Sequence, residues 1–302
     1  MIHHIFANKS NVGDWLSALG IQQLITPVRC VEHYCDVPMV PQTMQALAGV
    51  GSQDRIIIGG GGLFMDYFLP FWEAFEPLSR RVPFGIWGVG CCDLKREPSR
   101  MPLDVLAPII QRSAFCFVRD ELTRGFLSAC ALPAPVPCPA INYLPTRPPG
   151  FGLLHVDSWN DVGEANYELM QAAGREFAAQ TGRGFRNFNN RIPKHSETDL
   201  HQVLEGYVQA DLILTGRLHG CIIGLAMGRK VLAVSGDLKV ESFMEAAGLS
   251  DWVIDVNDVP ASLKTKLAQL PQQPASDGFT QRVRVANQQI AARAQLFLEG
   301  AA

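Results

Sequence analysis

The segment Asp211–Lys239, DLILTGRLHGCIIGLAMGRKVLAVSGDLK, constrains the fold more than any other part of the chain. Leu212-Ile213-Leu214 is an apolar run of the length expected for a strand buried in a parallel sheet. Thr215-Gly216 interrupts it. The apolar run Cys221 to Met227 then carries the small residues Gly224 and Ala226, as suits a helix packed close on a sheet. Gly228-Arg229 ends that helix, and Lys230 to Val234 reads as the next strand. Strand, turn, helix and strand in this order imply a parallel crossover.

Open α/β sheets bind ligands at the carboxyl ends of their strands. Arg217, Leu218, His219 and Gly220 follow the first strand directly, and Lys239 lies a few residues past the second. Two cations and a histidine thus flank a helix amino terminus, whose free N–H groups also attract anions. That arrangement suits a small, doubly anionic substrate. Taken singly, Arg217 has a plainer role as a loop cap and His219 as a satisfied core histidine. Their joint placement with Lys239 favours the site.

With 302 residues, the chain is long for one core and suits two domains of about 150 residues each. A net charge of −3 argues against a general nucleic-acid binder, which needs a basic surface, but leaves room for a local basic pocket. The eight cysteines include no C-x-x-C pair, and several lie in apolar runs, so reduced thiols are expected. MIHHIFANKS lacks the basic head and apolar core of a signal peptide, and no uncharged run approaches a membrane span. The expectation is a cytoplasmic protein without an integral membrane segment, able to act peripherally at the inner membrane surface.

Along the first half, Ile2 to Phe6 reads as a strand, and Asn11-Val12-Gly13-Asp14 opens a helix through Trp15, Leu16 and Leu19. Asp14 suits a helix amino terminus for electrostatic reasons alone; the functional alternative is that this turn lines an interdomain crevice. Arg55 to Ile58 is a strand followed by four glycines, Gly59 to Gly62. No Lys-Ser/Thr follows, so this is not a P-loop, and it is not G-x-G-x-x-G either. The glycines allow close approach of a ligand or of a second backbone. Tyr67 to Trp72 is aromatic-rich and reads as core, with stacking on a sugar as the alternative. Arg119-Asp120-Glu121-Leu122-Thr123 follows a strand; Asp120 and Glu121 suit the first helical turn, whereas Arg119 reads either as one half of a surface ion pair or as an anion ligand.

Seven prolines fall between Pro133 and Pro149, which predicts a semi-rigid connector without helix. The boundary is placed there, giving domains 1–149 and 150–302. In the second half, Gly182 to His195 carries Arg183, Arg186, Arg191 and Lys194, read as a mostly solvated loop from which Arg191 or Lys194 can reach a phosphate. The amphipathic segment Thr280 to Leu298 is expected to form a helix that packs back on the first domain.

Taken together, the N-V-G-D turn, the GGGxLxxD-like run ending at Asp66, R-D-E-L-T, G-R-L-H-G and Lys239 resemble, in order, the polysaccharide pyruvyl transferase family. The chain departs from it at Cys91-Cys92, where the family has a polar turn, and at Cys138-Pro139, where it has D-P. The resemblance implies two Rossmann-like α/β domains facing a cleft, as in GT-B glycosyltransferases, with the acceptor on the first domain and the donor on the second. It further implies transfer of pyruvate from phosphoenolpyruvate to two hydroxyls of a sugar, forming a cyclic ketal, in exopolysaccharide or cell-envelope synthesis. The acceptor is then a polysaccharide or its lipid-linked precursor.

Under this reading His219 moves protons near neutral pH, with Arg217 and Lys239 beside it. Arg119, Leu218 and Gly220 hold the donor, and Asn11, Gly13, Asp14, Gly60, Gly61 and Asp66 line the cleft on the acceptor side. No cofactor or metal is required, and the sequence has no D-x-D or H-E-x-x-H pattern. Two alternatives remain: a GT-B-type glycosyltransferase using a nucleotide sugar, whose diphosphate would meet the same cations, and a non-catalytic relative that binds sugars or anions.

Overall fold

Short, mostly apolar runs, with the half-polar edge segments VEHY and GFRNF, form ten strands among the described residues, in two all-parallel sheets. The computed structural model describes residues 1–95, 101–156, 159–192 and 195–300. The first sheet has the order β2-β1-β3-β4-β5, with β1 (Ile2–Phe6), β2 (Val31–Tyr34), β3 (Arg55–Phe64), β4 (Phe84–Cys91) and β5 (Phe115–Val118). The second has the order β10-β9-β8-β6-β7, with β6 (Gly152–Val156), β7 (Gly184–Phe188), β8 (Leu212–Thr215), β9 (Lys230–Ser235) and β10 (Val253–Asp255). Helices cover both sheets, so central strands such as β4 and β8 are buried along their whole length. The architecture is two Rossmann-like α/β halves facing a cleft, the fold class expected from the sequence.

The glycine run continues the strand that the sequence pattern ends at Ile58. β3 continues through Gly59–Gly62 and stays paired to β4, with Gly59 opposite Trp87 and Gly61 opposite Val89. Gly60 and Gly61 adopt φ of +86° and +95°. The missing side chains let the helix Val12–Leu24 lie directly on the strand. A Cβ on Gly60 would stand 2.5 Å from Ser17 Cβ, and one on Gly61 would stand 2.4 Å from Asp14 Oδ1. The second backbone, rather than a ligand, is what approaches these two glycines.

The proline-rich segment also departs from expectation. Ala140–Tyr143 forms a helical turn, because no proline falls between Pro139 and Pro145. Cys138, Ala140, Ile141 and Leu144 are buried in a core shared with the helices Val12–Leu24 and Leu218–Ala226. Pro139 sits against Gly20 and Gly88, where Cβ atoms would clash with it. Cys138 to Leu144 therefore form an apolar joint between the halves within this connector, while residues 145–150 are exposed.

The helix Asp277–Leu298 belongs by sequence to the second half and packs on the first. Ile290, Ala291, Ala294 and Phe297 bury against Ile21, Ile57, Trp87 and Phe115. Trp87 Nε1 donates to Asn287 Oδ1 at 3.0 Å, and Arg55 Nε donates to the Phe297 carbonyl at 3.1 Å. On the cleft side, Val12 N–H donates to the Asn190 carbonyl and Ile192 N–H to that of Ser10. Lys95 N–H meets the Gly236 carbonyl, and Lys95 Nζ pairs with Glu241 and Asp255.

Candidate active site

Strand ends from both sheets open onto one cavity of about 510 Å³ between the halves. Asn8, Gly62, Cys92 and Arg119 come from the first half; Asn160, Asn190, Arg217 and Lys239 come from the second. Residues that follow different strands therefore meet here, as strand-end geometry dictates. The helices Val12–Leu24, Leu218–Ala226 and Leu238–Ala246 all begin at this cavity, adding the positive ends of three dipoles.

His219 lies in the first turn of the helix Leu218–Ala226, for which Arg217 is the extended amino-terminal cap. Its ring occupies the space above Gly13, where a Cβ would stand 2.0 Å from Nδ1. Nε2 faces Ser17 Oγ at 3.4 Å and Cys138 Sγ at 3.8 Å. Burial, followed by the charges of Arg119, Lys239 and Arg217, pushes its pKa down to about 3. At neutral pH the ring is neutral. This corrects the expectation of a histidine titrating near pH 7: three cations and the loss of solvent disfavour imidazolium, and the residue at 138 is a thiol that offers no compensating charge.

Asp14 moves the other way. Burial pushes its carboxyl up to about 7, opposed by Arg119 and Lys239 and reinforced by Asp36. The group in this cavity that titrates near neutrality is thus a carboxyl. Sequence reading placed Asp14 in the cleft without assigning it a proton, because burial and the neighbouring charges arise only on folding.

The cations are individually anchored. Arg119 is 3% exposed, and its Nε donates to Asp120 Oδ2 at 3.0 Å while Nη2 donates to the Cys91 carbonyl at 3.2 Å. The ion pair with its neighbour exists, but it is buried and faces the cavity. Thr123 fixes this corner: its N–H donates to Asp120 Oδ1, and its Oγ1 accepts from the Cys91 N–H. Lys239 Nζ donates to Asp237 Oδ2 at 2.5 Å and approaches Cys92 Sγ at 3.2 Å. Burial alone would lower the Lys239 pKa; Cys92 and Asp237 outweigh it, so the net shift is upward and the ammonium stays charged. Arg191 also lines the cavity, while Arg183 pairs with Asp211 and Arg186 lies on the exposed strand β7. Lys194 lies outside the described residues.

Of the residues expected from sequence, Asn11, Asp14, Arg119, Arg217, Leu218, His219 and Lys239 line the cavity. Asn11 Oδ1 accepts from the Gly13 N–H and so caps its own helix. Gly13 and Gly220 act indirectly: Gly13 makes room for the His219 ring, and Gly220 lets its helix touch the end of β8, where a Cβ would stand 2.3 Å from Thr215 Oγ1. Gly60 and Gly61 seat the helix Val12–Leu24 instead of lining the cleft, and their neighbour Gly62 takes the lining position. Asp66 is exposed at the start of a single 3-10 turn, outside the cavity lining, because that turn directs the next residue, Tyr67, to the cleft.

Sequence reading missed Asp36 and Asn190, and it placed Tyr67 in an aromatic run read as core with sugar stacking as the alternative. Tyr67 is 44% exposed at the cavity and donates to Asp36 Oδ1 at 2.6 Å. The rest of its aromatic run is core: Phe71, Trp72 and Phe75 are fully buried, and Trp72 Nε1 donates to the Leu63 carbonyl. Among the described residues, no group of three His, Cys, Asp or Glu is placed to hold a metal ion. Nor is any described helix long and apolar enough to cross a membrane.

Solved structures share the fold at low identity. A putative UDP-N-acetylglucosamine 2-epimerase from Listeria monocytogenes aligns over 99% of this chain and 96% of its own, with a TM-score of 0.60 and 11% identity. S. aureus MnaA, in a co-structure with UDP, aligns over 97% of each chain with a TM-score of 0.57 and 11% identity. A protein of uncharacterised function from Klebsiella pneumoniae aligns over 83% of this chain and 89% of its own, at TM-score 0.53 and 13% identity. These establish a GT-B-type arrangement and nothing about the ligand. No curated protein matches the sequence. The family model for polysaccharide pyruvyl transferases matches residues 7–237, a span that runs from the first strand end to Asp237 beside Lys239 and includes every cavity residue but that lysine, so this chain belongs to the polysaccharide pyruvyl transferase family.

Proposed function

We propose that the protein transfers pyruvate from phosphoenolpyruvate to two hydroxyls of a saccharide, forming a cyclic ketal and releasing phosphate. The observation that carries this reading is the convergence of Arg119, Arg191, Arg217 and Lys239 on one cavity that also holds Asp14 and His219. Phosphoenolpyruvate concentrates a carboxylate and a phosphate on a three-carbon frame. Several cations within one small volume match that density, and planar guanidinium groups bind such oxyanions in pairs.

The proton inventory suggests an order of events. Protonated Asp14 gives its proton to C3 of the enol, making it a methyl group as C2 becomes electrophilic. A sugar hydroxyl adds its oxygen to C2 and loses its proton to neutral His219; the arriving dianion offsets the three cations that depress this ring and so raises its basicity. The C2–O bond to phosphate then breaks, with Arg and Lys side chains stabilising the charge on the leaving group and His219 returning its proton to it. The second hydroxyl closes the ketal at C2 and returns a proton to Asp14. Atoms and charges balance with these two substrates and no cofactor.

The wall formed by Asn8, Asp36, Met65 and Tyr67 is the acceptor side of this reading. A half-exposed tyrosine ring beside a carboxylate and an amide offers the stacking face and hydrogen bonds that a pyranose needs, whether free, polymeric or lipid-linked. The structural neighbours favour a second reading, a nucleotide-sugar donor, since one of them was captured with UDP.

Thermal shift and phosphate release separate the two. Phosphoenolpyruvate should raise the melting temperature, and UDP- or GDP-sugars should not. Stabilisation by the nucleotide sugars alone would transfer the assignment to a glycosyltransferase.

A further inference from the structure

Asn190 is 3% exposed, lines the cavity and is hydrogen-bonded to two different parts of the molecule. Its carbonyl accepts the Val12 N–H across the cleft. Its Oδ1 accepts the hydroxyl of Tyr207, a fully buried phenol, at 3.1 Å. Its Nδ2 is buried with no hydrogen-bond partner among the described residues. With Oδ1 taking the Tyr207 hydroxyl, Nδ2 is the amide group turned away from the phenol. A flipped amide would turn its NH₂ group toward a buried phenol whose own proton would then lose this acceptor.

A buried amide N–H without an acceptor is destabilising, so its place at the edge of an anion-binding cavity calls for a partner. The partner's chemistry follows from the surroundings. Arg191 is the next residue and lines the same cavity. Arg217 is near enough to act electrostatically on Tyr207. The cations therefore draw an oxyanion to this corner, and an oxygen there would accept from Nδ2.

We propose that Asn190 is a ligand-binding residue whose side-chain Nδ2 donates a hydrogen bond to an oxygen of the bound anion. It adds a neutral, directional donor to the charged groups of Arg217 and Lys239. Because its carbonyl also holds the start of the helix Val12–Leu24, ligand contact at Asn190 bears on the seam between the two halves. The identity of the anion rests on the donor assignment above; the presence of the contact does not.

The test is calorimetric titration of phosphoenolpyruvate, and separately of UDP, into the wild-type protein, Asn190→Asp and Tyr207→Phe. Asn190→Asp retains an oxygen for the Tyr207 hydroxyl and replaces the donor with an acceptor. It should weaken phosphoenolpyruvate binding by roughly 10-fold or more, while Tyr207→Phe stays within about 3-fold of wild type. If Asn190→Asp does not fold, Asn190→Ser removes the amide donor without adding charge and should show the same loss. Unchanged affinity in the Asn190 variants, or an equal loss in Tyr207→Phe, overturns the inference in favour of a purely structural amide. A wild-type protein that binds UDP but not phosphoenolpyruvate, with UDP binding lost in Asn190→Asp, keeps the Asn190 contact and removes the pyruvate donor. Binding of neither ligand removes both.

Discussion

The imidazole of His219 occupies the position that a side chain on Gly13 would fill, with an added Cβ standing 2.0 Å from Nδ1. The two residues come from different halves of the molecule, so this contact registers one half against the other. It explains why the turn before Asp14 carries glycine although its φ lies outside the left-handed region. The constraint is volume and not backbone conformation.

Gly13→Ala should therefore displace the ring. We expect a loss of about 1–3 kcal/mol in stability and roughly 10²-fold or more in phosphate release. A double-mutant cycle checks the cause. In a His219→Ala background the stability cost of Gly13→Ala should largely vanish, and persistence of the full cost would show that the methyl group clashes elsewhere.

Arg217 and His219 lie two residues apart in sequence and should fail differently. Arg217→Ala removes a charge-assisted contact, so donor affinity should drop by about 1.5–3 kcal/mol. His219→Gln retains hydrogen bonding but cannot carry a proton; donor affinity should be nearly kept while turnover falls roughly 10²-fold or more. Full turnover in His219→Gln, measured as phosphate release with an accepted sugar, would exclude the histidine from proton transfer.

Asp14 predicts a pH signature. Its carboxyl stands near pKa 7, against 3.8 for the ordinary group, so between these values the folded protein holds more protons than the unfolded chain. Stability contributed by the protonated form is full below pH 3.8 and declines as pH rises toward 7. Asp14→Asn removes that loss and should be the more stable protein at pH 8, by on the order of 1 kcal/mol after allowance for partial exposure. A bound dianion would raise the Asp14 pKa further. Titration at pH 7 in two buffers of different ionisation enthalpy should then show proton uptake in wild type and none in Asp14→Asn.

Cys138 tests why His219 is neutral. Its thiol lies 3.8 Å from Nε2 and brings no charge to offset Arg119, Lys239 and Arg217. Cys138→Asp would place a carboxylate beside the ring and should raise the His219 pKa from about 3 toward the usual histidine range. An NMR titration of the imidazole resonances reads this directly. An unmoved titration would mean that desolvation alone holds the ring neutral.

Much of the architecture was legible because parallel strands announce themselves as short apolar runs. Leu212 to Leu214 and Lys230 to Val234 were placed within a residue of β8 and β9. β2, Val31–Tyr34, was not legible: an edge strand reading VEHY is half polar, buries only His33 fully and lacks the signature of a covered strand. The continuation of β3 through Gly59–Gly62 was not legible, because single-sequence patterns cannot show that a helix will lie on a strand and require it to have no side chains.

The same division holds at the site. The sequence by itself determined the fold class and the strand-end positions of Arg119, Arg217, His219 and Lys239, because both follow from local order: apolar run, short polar turn, helix. Only the tertiary structure decided their chemistry. The charge state of His219, the protonation of Asp14 and the lack of a partner for Asn190 Nδ2 among the described residues depend on which groups folding brings within a few ångströms and on how much water they displace. Those are properties of distance and dielectric, which exist for this chain only once its two sheets face each other.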